Sequence, residues 1–195
     1  MNKKLFFSLL VSILLITSAK NVQAGDPELY IETSTGKNTV CSGVTMSLTG
    51  RSLISDNSIA EHRWESSTSG IIAATKDQFA FINTNETGIH TITYSIIDEK
   101  GNTYSTHISV RVLELPDNNV LINHKEGSEL NEIHLPAELS AREVNRSNKY
   151  QWFRNNIKIE GATFSSHKAT EEGSYRLMTT SHEGCHSYST SITIR

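Results

Sequence analysis

The stretch Ile92-Thr93-Tyr94-Ser95-Ile96 alternates apolar and polar residues with a period of two. In an extended chain this puts Ile92, Tyr94 and Ile96 on one face and the polar residues on the other. The same alternation returns in Val44-Thr45-Met46-Ser47-Leu48, in Ile108-Ser109-Val110-Arg111-Val112 and in Ile192-Thr193-Ile194. After residue 25 the chain is rich in Ser, Thr, Asn and Gly, and no segment carries a convincing amphipathic-helix pattern. Turn residues such as Glu99-Lys100-Gly101-Asn102 and Arg154-Asn155-Asn156 close the alternating runs. Many short strands with regular turn signals predict an all-β sandwich.

The pattern occurs twice. Trp64 is followed after 24 residues by Gly88, after 13 more by Gly101 and after about 9 more by Val110-Arg111-Val112. Trp152 is followed by Gly173, Gly184 and Ile192-Thr193-Ile194 at intervals of 21, 11 and about 8. A doubled set of landmarks predicts two tandem sandwiches. They meet at Leu115-Pro116-Asp117-Asn118-Asn119, where Pro116 removes a ladder donor and the polar run favours a turn. The expected organisation is residues 25–115, a linker over 116–119, and residues 120–195. Trp64 and Trp152, each in mid-strand, are expected to fill the space between two sheets, with Tyr94 and Tyr175 as further core markers. Gly173-Ser174-Tyr175 follows Thr170-Glu171-Glu172, so the Tyr175 hydroxyl is expected to bond back to that turn. His90 takes the equivalent place after Asn85-Glu86-Thr87-Gly88 and is expected to make a similar bond.

The first 24 residues read as a removable export signal. Lys3 and Lys4 precede an apolar run from Leu5 to Ile16, and Val22-Gln23-Ala24 offers small residues at a cleavage site. That run is too short to span a bilayer, which takes about 20 apolar residues. No Cys follows the cleavage site, so no lipid anchor is expected, and no second apolar stretch predicts a membrane span. The expected location is secreted or periplasmic, where disulfides form. Without residues 1–24 the count is 15 basic against 21 acidic residues, a net charge of −6. Nucleic-acid binding needs a basic surface, so nucleic acid is not an expected partner.

Tyr150-Gln151-Trp152-Phe153-Arg154-Asn155-Asn156-Ile157, Ile159-Glu160-Gly161-Ala162-Thr163 and Thr170-Glu171-Glu172-Gly173-Ser174-Tyr175 together resemble the immunoglobulin-like modules of bacterial secreted and cell-surface proteins. Arg63-Trp64, Gly88-Ile89-His90-Thr91-Ile92-Thr93-Tyr94, Asp98-Glu99-Lys100-Gly101-Asn102 and Ser109-Val110-Arg111-Val112 resemble a related module of the PKD type. The resemblance covers nearly all of residues 38–195. It implies spacers, adhesin stalks, accessory binding modules or assembly subunits, and no catalytic site. Such modules often carry one Cys just before the second strand and another just after the glycine of the last hairpin. Here the first position is filled by Cys41 and the second by Cys185, one in each half. End-to-end stacking of two such modules implies that both thiols flank the joint and pair with each other. Two unpaired thiols or an intermolecular pair remain alternatives.

Catalytic patterns are absent. There is no Gly-x-Ser-x-Gly elbow, P-loop, Gly-x-Gly-x-x-Gly run or His-Glu-x-x-His. His62, His90, His107, His124, His134 and His167 are dispersed, as surface and turn histidines are. His182, Cys185 and His186 cluster at one hairpin but find no fourth ligand nearby, so neither a metal nor another cofactor is expected. Asp98 with Asn102 could suit calcium, but no dense run of acidic ligands supports it. Phe79 and Phe81 share a strand face, and Phe153 faces away from Trp152. These three are the candidate interaction surface. The expected function is a non-enzymatic binding or assembly module at the cell envelope or outside, with a protein or a surface glycan as partner. A structural subunit of a surface fibre or secretion apparatus is the alternative. A small enzyme or inhibitor is a more distant one.

Overall fold

The computed structural model describes residues 28–123 and 135–195, and the export signal expected over residues 1–24 lies outside them. The described chain is all-β and forms two tandem immunoglobulin-like sandwiches. Eight strands make up the first: β1 Leu29–Thr33, β2 Thr39–Cys41, β3 Met46–Ser52, β4 Ile59–Ser66, β5 Ile72–Lys76, β6 Phe79–Ile82, β7 Gly88–Asp98 and β8 Thr103–Leu113. The second has β9 Val120–Asn123, β10 Ala137–Ala141, β11 Lys149–Arg154, β12 Ile157–Lys158, β13 Ser166–Ala169, β14 Gly173–Thr180, β15 His186–Tyr188 and β16 Ile192–Ile194.

Four sheets result. In the first half, β1-β3-β6-β5 packs on β2-β8-β7-β4, where β2 runs parallel to β8 and every other pairing is antiparallel. In the second half, β13-β10-β9 packs on β12-β11-β14-β15, with β16 also on β14. Among the described residues no ladder joins a strand of one half to a strand of the other.

Each half buries its own apolar stripe. Met46, Leu48, Ile71, Ile92 and Val110 lie at 0% exposure in the first core. Leu139, Trp152, Ala169 and Leu177 do so in the second. The alternation read from the sequence accounts for this directly. Ile92, Tyr94 and Ile96 on β7 point inward, and the intervening Thr93 and Ser95 point out. Among the described residues no helix is long and apolar enough to cross a membrane.

Candidate interaction surfaces

The two sandwiches meet around a covalent link. The sulfurs of Cys41 and Cys185 are 2.03 Å apart and the Cα atoms 5.6 Å apart, across 144 positions of sequence. Cys41 ends β2, on the β2-β8 edge of its sheet, and Cys185 immediately precedes β15 in a fully buried position. As a disulfide partner, Cys185 offers no thiolate, so the His182-Cys185-His186 cluster has only its two imidazoles. Arg111 Nη1 adds an ion pair with Glu183 Oε1 at 2.9 Å. Ser187 Oγ donates to Pro116 O and Asn118 Nδ2 to Tyr188 O, both at 2.6 Å. The Leu115–Asn119 segment is thus bound to the last hairpin of the second half.

The doubled landmarks take related but unequal places. Trp152 is fully buried on β11, an interior strand, and its indole N–H donates to Phe164 O at 3.0 Å. Trp64 is only half-buried, which corrects the expectation that both indoles are enclosed. It sits on β4, the edge strand of its sheet, so no neighbouring strand covers its flank. It leans on Tyr94 at a centroid distance of 4.7 Å and donates to Asp77 O at 3.2 Å. Tyr94 is 1% exposed and Tyr175 2%. Burial pushes the Tyr94 phenol up to about 12. Its hydroxyl lies 2.7 Å from His62 Nδ1, and its ring covers Gly50, where a Cβ would overlap it.

The turn-to-strand corner is made twice with different side chains. Tyr175 Oη donates to Glu171 O at 2.7 Å, four residues back. His90 Nε2 lies 3.1 Å from Glu86 O, also four residues back. A carbonyl only accepts, so Nε2 carries the proton, and Nδ1 accepts from the Thr68 hydroxyl at 3.1 Å. Gly88 and Gly173 open these strands with φ of +131° and +151°, a backbone region L side chains rarely adopt.

The three candidate surface phenylalanines do not form one patch. Phe79 and Phe81, 42% and 46% exposed, stand on β6 in the first half, opposite Thr49 and Ser47 of β3. Phe153 belongs to the second half and is half-buried. It was expected on an open face, but the Arg176 guanidinium lies over its ring at 5.4 Å and over that of Tyr188 at 4.7 Å. Gln151, on the same side of β11, is 7% exposed because its amide donates to Trp152 O and Ile159 O at 2.9 Å. Sequence reasoning missed Arg176, Met178 and Tyr188. The alternation in Ser174-Tyr175-Arg176-Leu177-Met178 sets Arg176 and Met178 opposite the buried Tyr175 and Leu177, but only strand register reveals that they meet Phe153 and Tyr188.

A cavity of about 280 Å³ opens in the second half between the β11–β12 hairpin and the turn before β14. Arg154 pairs there with Glu171, and His167 stacks on Trp152 and Tyr175, each at 5.8 Å. Burial holds the His167 imidazole below its usual 6.5. Asp98 has its carboxylate committed to Lys100 N, Asn102 N and Asn102 Nδ2 at 2.8–2.9 Å, which hold it below the usual carboxylate range. This is a turn-closing role.

No known family pattern and no curated protein matches the chain. Among solved structures, murine CEACAM1b is similar at 13% identity and a TM-score of 0.39, covering 86% of this chain and 99% of that one. The fibronectin(III)-like modules of Clostridium thermocellum CbhA give 9% identity and 0.38 over 85% and 94%. A Bacteroides ovatus protein of a mixed-linkage glucan utilization locus, SGBP-B, solved with a heptasaccharide, gives 15% and 0.33 over 87% and 47%. Overlaps this loose say nothing about partner or activity.

Proposed function

We propose that this chain is an exported, non-enzymatic binding or assembly module that works at the cell envelope or outside the cell. Its units are residues 25–115, of PKD type, and residues 120–195, joined at 116–119, with residues 1–24 removed on export from a bacterial cell. The observation that carries this reading is the joint. Two separate cores are tied by a disulfide, an ion pair and two hydrogen bonds, an arrangement that fixes one set of sheet faces relative to the other. A disulfide closing so large a loop suits an oxidising compartment. The polar groups around the cavity near Tyr175 serve the fold, through the Arg154–Glu171 pair and the Tyr175 corner bond, and offer no nucleophile beside a base.

Cell fractionation with alkylation of free thiols tests the compartment. The protein should lie outside the cytoplasm, start near residue 25 and carry no alkylatable Cys. Purified, labelled protein should bind envelope or secreted material saturably, in competition with unlabelled protein. A cytoplasmic, reduced protein, or binding that never saturates, defeats the reading.

A further inference from the structure

The outward face of the β12-β11-β14-β15 sheet is fixed by register. Lys158, Phe153 and Arg176 form one row across the strands. Gln151, Met178 and Tyr188 form the next, and Lys149, Thr180 and His186 the third. Ser174 and Thr193 extend the face onto β16. None of these residues carries a carboxylate, although acidic residues outnumber basic ones, 21 to 18, in the whole chain. At the rim Lys158 is itself loosely paired, its Nζ 3.7 Å from Glu160 Oε1, whereas Arg176 and Lys149 make no ion pair among the described residues. The matching face of the first half, on β4, β7 and β8, is different. It carries Thr91, Thr93, Ser95, Ser105 and Ser109 with His107, but also the carboxylates Glu61 and Glu65, and both of its arginines are paired, Arg63 with Glu61 at 3.0 Å and Arg111 with Glu183 at 2.9 Å.

Arg176 stands at the centre of the cationic face. Its guanidinium carbon lies over both the Phe153 and Tyr188 rings, whose centroids are 6.0 Å apart and whose planes are tilted by 59°, and its Nε is buried without a hydrogen-bond partner. Among the described residues no acid pairs with it. A guanidinium packed against aromatic rings keeps its two terminal nitrogens as a planar donor pair that matches a carboxylate, and it is less hydrated than an ammonium. The apolar content of the face is two rings and one thioether, little for the dry core that a protein interface requires. A face about 15 Å across four strands, with cations in its first and third rows, instead suits an extended polymer whose successive units each carry an anion.

We infer that this face binds an acidic polysaccharide, its carboxylates taken by Arg176, Lys158 and Lys149 and its sugar rings resting against Tyr188. The inference rests on the binding-module reading above and names the ligand class.

The test is affinity electrophoresis and calorimetry of the full mature chain with polygalacturonate. Fully methyl-esterified polygalacturonate supplies the same backbone without charge, and poly-L-glutamate supplies carboxylates without sugars. The chain should bind polygalacturonate, lose at least tenfold in affinity on the ester, and bind poly-L-glutamate at least tenfold more weakly. Arg176→Ala should cost about tenfold, and Arg176→Lys, which keeps the charge but not the fork, should recover only part. Arg63→Ala, on the first half, should leave binding unchanged. Circular dichroism melts confirm that each variant is folded, and Lys149→Ala with Lys158→Ala repeats the test at exposed positions. No binding to polygalacturonate overturns the inference. So does equal binding to poly-L-glutamate, which marks an acidic protein as the occupant, and so does an equal loss in Arg63→Ala. If these fail while saturable binding to envelope material persists, the module reading stands and this face falls.

Discussion

The first half places β5 beside β6, whereas the second places its extra strand, β12, beside β11 on the opposite sheet. That single relocation accounts for the unequal tryptophans. Trp64 is left on an edge strand and only partly buried against its core, whereas Trp152 gains a covering strand and is fully buried. The corner bond is indifferent to the relocation, because it spans only four residues, and it survives as His90 to Glu86 in one half and Tyr175 to Glu171 in the other. Local devices thus persist between the halves while the edges, which depend on which sheet a strand joins, diverge.

The largest expected effect probes that divergence. Trp152→Ala should destabilise the second half by about 3–5 kcal/mol, as large-to-small changes in a closed core do. Trp64→Ala should cost less than half of that, read in both cases from urea denaturation by circular dichroism. Equal losses would break the comparison at its base. Next, replacing Cys41 and Cys185 together by Ser should lower stability by about 2–4 kcal/mol, since a long closed loop is released in the unfolded chain. With the link gone, the halves should unfold in separate transitions, each followed by the fluorescence of its own single tryptophan. One coincident transition would mean that the halves are a single cooperative unit.

Smaller effects sharpen the comparison. Tyr175→Phe removes one neutral hydrogen bond and should cost about 1 kcal/mol, and His90→Phe, which forfeits two, somewhat more. Thermal melts of the two variants rank them. The smallest effect is a pH dependence that His167 gives the second half. The folded His167 resists protonation, whereas the unfolded imidazole protonates near its usual 6.5. Stability is therefore complete above that value and declines as the pH falls from there toward the lower folded-state pKa. The slope should flatten in His167→Gln, measured as the urea midpoint across that window.

Much of the architecture is legible in the sequence. The period-two runs around Tyr94 and Tyr175 fix which face is buried, and the spacing of Trp, Gly and the final strand reveals two sandwiches in tandem. The sheet assignment of the extra strand was not legible. Ile157-Lys158 and Ile72–Lys76 are both short and turn-bounded, and nothing local says which sheet each joins. The same limit hid the Phe153-Arg176-Tyr188 ladder. Each residue's face follows from alternation, but their meeting depends on pairing between β11, β14 and β15, which are separated by turns of variable length. Trp64 is less enclosed than its alternation predicts for this reason as well, since alternation gives a side and says nothing of the edge.

The position of the cross-link has a mechanical consequence. A tensile load applied between residue 28 and residue 195 enters the chain 13 residues ahead of Cys41 and leaves it 10 residues beyond Cys185. The covalent bridge carries the load between those points, so strands β3 to β14 lie inside a loop that tension bypasses, whereas β1 and Val40 of the first half and β15, β16 and Ile194 of the second lie outside it. Before the bridge is taut, only those flanking residues can be drawn out, about 80 Å of contour at roughly 3.5 Å each. Without the bridge the same pull could unravel about 590 Å by the same measure. Under strain the flanks, which carry Tyr188 and Thr193 of the proposed binding face, give first, and the strands from β3 to β14 stay folded behind a hard stop.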